Sequence, residues 1–160
     1  MPTIQEVKNS TLQFLQTQET AVVGTVSKEG IPQVATVYYV IDDDFTFYIV
    51  THLQSSKAKN LRDNNHVALV VGFGPNLKTV QAGGVAEVME DWRTGTLYRK
   101  KVMLHMIEKV ERDMKEWPIM RLSRGEEFTV LKIIPQWMTY LNLDESDPLA
   151  YREDFYKVLP

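Results

Sequence analysis

Residues 29–72 read EGIPQVATVYYVIDDDFTFYIVTHLQSSKAKNLRDNNHVALVVG, and the fold is decided inside this stretch. Residues 33–40 (QVATVYYV) are apolar, β-branched and aromatic, which marks a strand on a half-buried pleated surface. Asp42, Asp43 and Asp44 break that run as a turn, and residues 45–50 (FTFYIV) resume it as a second strand. The pattern then changes abruptly. Residues 55–62 (SSKAKNLR) have little β-propensity, and Ser55 or Ser56 suits an N-cap, so a short helix is expected that ends near Asn64 and Asn65. Residues 66–72 (HVALVVG) form the next strand.

Upstream, residues 21–26 (AVVGTV) make another short strand, joined through the turn at residues 27–30 to residues 33–40. Two hairpins in succession predict a meander. Residues 3–17 suit a helix with Thr3 as cap, Glu6 closing a capping box, and Ile4, Val7, Leu12 and Leu15 along one face. Downstream, residues 79–89 (TVQAGGVAEVM) form a longer strand whose Gly83–Gly84 pair predicts a bulge or a close backbone approach. Residues 91–117 carry the main helical pattern, with Val102, Met106, Val110, Met114 and Trp117 as its apolar stripe. Residues 127–134 and 136–143 are the last strand pair. Pro135 between them marks either a return or a kinked continuation. The tail from Asp144 is acidic, with Tyr151, Phe155 and Tyr156 available for packing. The expectation is a single domain over residues 1–160, mainly β with flanking helices. Its six or seven antiparallel strands close into a barrel, which removes exposed edges.

Composition narrows the chemistry. With no cysteine among 160 residues, disulfides, thiolate metal sites and thiol catalysis are excluded. No basic segment leads an apolar run at the N-terminus, and no stretch reaches the ~20 apolar residues that span a bilayer, so a cytoplasmic protein without a membrane partner is expected. A formal charge of -3 argues against nucleic acid, and the short basic run Arg99, Lys100 and Lys101 reads as a solvated helix face. His52, His66 and His105 lie at no metal-ligand spacing, and no hydrolase, Walker or dinucleotide motif is present.

Two features remain. Thr51, Ser55, Ser56, Lys57 and Lys59 gather hydroxyls and ammonium groups at a helix start, a set suited to a phosphate monoester and also common on a capped surface helix. Tyr38, Tyr39, Phe45, Phe47, Tyr48, Trp137 and Tyr140 supply rings that fit a planar cofactor or, more simply, core and dimer packing.

In its order of segments, the run over residues 29–72, continued by TVQAGGVAEV, resembles the pyridoxamine 5'-phosphate oxidase-like family of FMN-binding split barrels. The resemblance covers roughly residues 12–90, with a weaker match at residues 128–143. It implies a homodimer with FMN at the interface. By position, Thr51, Ser55, Ser56 and Lys57 surround the FMN phosphate. Val34, Ala35, Thr36 and Val37 match the strand beside the isoalloxazine ring. Lys78 and Thr79 match an Arg-Gln pair that closes over the cofactor, and Trp137 lies where the partner chain completes the ring pocket. The implied activity is an oxidoreductase passing hydride through the flavin, with NAD(P)H or another small molecule as reaction partner and no catalytic acid or base assigned.

The departures from the family pattern carry information. Ala35 and Ser56 stand where the oxidases place arginines. No Arg-Pro step occurs in residues 94–117, and the chain closes with YREDFYKVLP rather than an arginine-rich end. These point away from pyridoxamine phosphate oxidation and toward general or stress-associated relatives. A flavin-binding or sensing protein without turnover, a haem or deazaflavin binder on the same barrel, and a dimeric scaffold with a decayed phosphate site are the alternatives.

Overall fold

The computed structural model describes residues 2–75, 77–89, 108, 128–150 and 155–160. Among them are helices α1 (Ile4–Thr17) and α2 (Ser56–Asp63) and strands β1 (Thr20–Val26), β2 (Pro32–Tyr38), β3 (Val40–Ile41), β4 (Phe47–His52), β5 (His66–Gly72), β6 (Lys78–Met89), β7 (Phe128–Asn142) and β8 (Tyr156–Leu159). The helix expected over residues 91–117 lies outside the described residues apart from Glu108, as do His105 and Tyr151.

All pairings among these strands are antiparallel. Seven strands run in the order β2-β1-β5-β6-β7-β4-β3, with β8 paired to β7. The sheet curls into a half-barrel whose ends approach through β2 and β4. This is the mainly β split barrel expected from sequence, but not the meander. The two hairpins, β1–β2 and β3–β4, sit at opposite ends of the strand order. Two successive pairs, β2 with β3 and β4 with β5, are therefore not sheet neighbours. Tyr39 breaks the expected second strand into β2 and β3 and sends the chain across the barrel.

Burial alternates along β1 and β5, the period-2 signature of one face on the core and one on the outside. Inward residues Val23, Leu69, Val71, Val80, Ala82, Leu131, Ile133 and Met138 make one core cluster. Tyr39, Phe47 and Tyr140 belong to it as its largest buried rings, so most of the crowded aromatics are core. Tyr39 stacks tilted on Phe47 at 5.2 Å between centroids, and its hydroxyl donates to the Leu15 carbonyl at 2.6 Å. Tyr39→Phe removes this bond and leaves the Leu15 carbonyl with the longer one from Gln18 N at 3.3 Å. An expected loss of about 1 kcal/mol in denaturant-unfolding stability, with m unchanged, checks this.

The capping box of α1 is formed as read: Glu6 N donates to Thr3 Oγ1 at 3.2 Å and Thr3 N donates to Glu6 Oε2 at 2.7 Å. The buried face is Val7, Thr11, Phe14 and Leu15, whereas Ile4 is exposed. Phe14 and Leu15 reach the barrel end, where Phe14 meets Tyr140 at 5.9 Å. Ile4 lies in the first turn, beyond that contact.

The last strand pair is one strand. β7 runs 15 residues without a return. Register against β6 shifts where Gly83 faces Trp137 and Gly84 faces Pro135, which leaves Gln136 as the extra residue of a bulge. Pro135 has no N–H to give the ladder, so a bulge is where a proline can be carried inside a long strand. Gly84 permits the approach: a Cβ there would sit 2.1 Å from the Ile134 carbonyl oxygen and 2.8 Å from Pro135 Cα.

Candidate functional site

Helix α2 starts beside the end of β4, and this junction brings the phosphate-suited residues together. Ser55 is the N-cap, its Oγ accepting from Ala58 N at 3.3 Å. Thr51, buried near the end of β4, donates its hydroxyl to the same Ser55 oxygen at 3.1 Å. Lys57 folds back so that Nζ donates to Thr51 Oγ1 at 3.0 Å. Thr51, Ser55 and Lys57 thus form one hydrogen-bonded chain across the helix start. The helix cannot roll away from it, because Ala58 and Leu61 are buried in the core and Arg62 Nη1 ties back to the Leu53 carbonyl at 3.1 Å.

A cleft of about 430 Å³ opens in front of this junction, lined by Val23, Thr25, Gln33, Val34, Ala35, Ser56 and Lys57. That volume lies within the range of about 300–1,000 Å³ usual for small-molecule sites. Among the described residues no carboxylate lines it, and the first turn of α2 carries no acidic residue. Burial pushes the Lys57 ammonium below its ordinary pKa, and the hydroxyl to which it donates is neutral. A half-buried cation, hydroxyls and a helix N-terminus suit an anion, whose charge would favour the ammonium form that burial disfavours. The donor set fits the phosphate of FMN. Ala35 and Ser56 line the cleft with small side chains.

Val34 and Ala35 both line this cleft. Thr36 points outward and is exposed, while Val37 is buried in the core. Val34 is 76 % exposed. Register links it across the sheet through Gly24, Ala68 and Gly83 to Trp137, which is 42 % exposed. The Trp137 ring lies directly over Gly83, where an added Cβ would come within 2.5 Å of the indole nitrogen. Val34 and Trp137 therefore bound a row of small residues on the outer face, with exposed Val22 and Val70 in the next row.

Lys78 and Thr79 stand apart from the Lys57 cleft. Lys78 Nζ binds Asp147 Oδ2 at 2.5 Å and lies 3.7 Å from Asp144 Oδ2, beside a separate cavity of about 370 Å³ under α1. Burial works against its charge, but the bond to Asp147 and the nearby carboxylates hold its pKa above the ordinary value. Thr79 is buried and donates to the Val71 carbonyl at 3.1 Å.

Sequence reasoning missed Thr25, Gln33 and Asn60. The buried Asn60 of α2 donates through Nδ2 to Thr25 Oγ1 at 3.0 Å and to Gln33 Oε1 at 2.9 Å. A polar residue at a core-facing helix position was the available signal.

A family profile described as pyridoxamine 5'-phosphate oxidase matches residues 8–142. The chain belongs to the pyridoxamine 5'-phosphate oxidase family. Solved structures agree on the fold of this family member. General stress protein 26 from Bacillus anthracis str. Sterne is 23 % identical over 84 % of this chain and 93 % of its own, with a TM-score of 0.60. A Clostridium acetobutylicum protein related to general stress protein 26 is 16 % identical over 96 % of both chains, with a TM-score of 0.64. HutZ, the haem storage protein of Vibrio cholerae, is 18 % identical over 81 % of this chain and 91 % of its own, with a TM-score of 0.61. A search of curated proteins gave no match. Members of the pyridoxamine 5'-phosphate oxidase-like fold family thus include a haem storage protein beside the oxidases. Among the described residues no helix is long and apolar enough to cross a membrane, and no group of three or more His, Cys, Asp and Glu residues is placed to hold a metal.

Proposed function

We propose that this protein binds FMN by its phosphate in the Lys57 cleft and uses it as an oxidoreductase toward a small substrate. The observation that carries the reading is that Lys57, bonded through Thr51 to the N-cap Ser55, lines with Ser56 a cleft that has no carboxylate among its described lining residues. In this reading Lys57 neutralises phosphate charge, the hydroxyls of Thr51, Ser55 and Ser56 take its oxygens, and β2 at Val34 and Ala35 carries the ring. Bound FMN supplies hydride transfer; the protein orients the ring and excludes water.

The proposal includes a homodimer joined through the outer face. Val22, Val34, Val70, Ile134 and Trp137 expose apolar surface there, and a second copy covering it would bring Trp137 toward the neighbouring ring. It also places the protein in the cytoplasm, where FMN and NAD(P)H are available.

Anaerobic addition of NADPH to the FMN-loaded protein tests the activity. Flavin bleaching faster than that of free FMN is the expected result. Bound FMN that bleaches no faster would make the protein a flavin carrier or sensor.

A further inference from the structure

Gln33 is exposed and lines the Lys57 cleft. It lies on β2, two residues before Ala35, so both side chains stand on the same side of the strand, facing Ser56 and Lys57 across the cleft. Its amide is not free to turn. Asn60, buried on α2 and itself bonded to Thr25, donates to Gln33 Oε1 at 2.9 Å. With the carbonyl oxygen so occupied, what Gln33 offers the cleft is its N–H2 group, a pure donor. A fixed donor lining the same cleft as an ammonium group, with no carboxylate among the described lining residues, is complementary to an acceptor-rich anion.

We propose that Gln33, oriented by Asn60, is a specificity residue whose side-chain N–H2 donates to a phosphate oxygen of the ligand held by Lys57. The inference rests on the phosphate-binding reading of this cleft. It assigns to a neutral amide part of what a second positive charge would otherwise do, next to the short Ala35. The ligand class is a phosphate monoester, either the phosphate of FMN or free inorganic phosphate. The amide contributes direction and counts lone pairs. Lys57 contributes charge.

Three probes separate the possibilities: FMN, riboflavin and inorganic phosphate, each titrated against wild type, Gln33→Leu and Gln33→Glu. Gln33 is exposed, so both variants are expected to fold, with circular dichroism and thermal unfolding as the check. Gln33→Leu removes the donor and keeps the bulk; a three- to tenfold rise in the FMN dissociation constant is expected. Gln33→Glu keeps an acceptor for Asn60 and turns a second carboxylate oxygen toward the anion, so a rise beyond tenfold is expected. Riboflavin affinity should stay within twofold in both. Equal weakening of FMN and riboflavin would overturn the assignment to phosphate, and unchanged FMN affinity in Gln33→Glu would overturn any contact. Should wild type bind inorganic phosphate but neither flavin, the flavin reading fails; the Gln33 inference then stands or falls on whether Gln33→Glu loses the phosphate. Failure of wild type to bind FMN and phosphate alike would end both.

Discussion

Gly84→Ala is expected to destabilise the protein by about 3 kcal/mol, read as a lower denaturant midpoint, or to prevent folding at elevated temperature. The reason is local and steric. Gly84 faces Pro135 at the bulge between β6 and β7, and a Cβ there would meet the Ile134 carbonyl oxygen at 2.1 Å and Gln136 N at 2.8 Å. Both are backbone atoms of the longest strand, so no side chain can swing aside. The bulge would have to open or slip. A one-residue slip would turn the inward residues of β7 on one side of it, such as Leu131 and Ile133 at near-zero exposure, toward the outside. Alanine at Gly74, where an added Cβ meets nothing within 4 Å, is the control, and less than 0.5 kcal/mol is expected there. Equal effects at the two positions would mean that the bulge does not depend on a missing Cβ.

Lys57→Ala is expected to raise the FMN dissociation constant ten- to a hundredfold, the weight of a hydrogen bond to a charged group at about 1.5–3 kcal/mol. Stability without ligand should change little. Burial disfavours the Lys57 charge in the folded protein, and its side chain bonds a hydroxyl, so truncation removes a desolvated cation and, among the described residues, no ion pair. Loss of binding with an intact fold separates a ligand-binding lysine from a structural one. Lys57→Arg keeps the charge but changes its shape and reach, and an intermediate affinity is expected by fluorescence titration. A variant that bound FMN like wild type would remove Lys57 from the site.

The strands with strong alternation and β-branched content were legible in the sequence, as were the capping box at Thr3 and Glu6 and the bulge at Gly83 and Gly84. These signals are local. The meander was not legible as wrong, because nothing near residues 39–47 states that β2 and β4 belong to opposite ends of the sheet; that follows from β7 pairing with β4 across 80 residues. β7 was uncertain for a similar reason, since Pro135 reads as a break until its facing glycine is known. The candidate site divides the same way. Thr51, Ser55 and Lys57 are near in sequence and proved to be bonded to one another. Gln33 and Asn60 are 27 residues apart, and their pairing depends on α2 lying over the β1–β2 hairpin, which no spacing rule anticipates.

The account turns on whether the Lys57 cleft holds a flavin nucleotide. The most direct measurement is titration of cofactor-free protein with FMN under equilibrium dialysis, with the mass of the complex measured by light scattering. Saturation at one FMN per chain in a particle of two chains is the predicted result, with riboflavin bound more weakly for want of the phosphate. A monomer that retains no FMN, or binding that does not distinguish FMN from riboflavin, would contradict it.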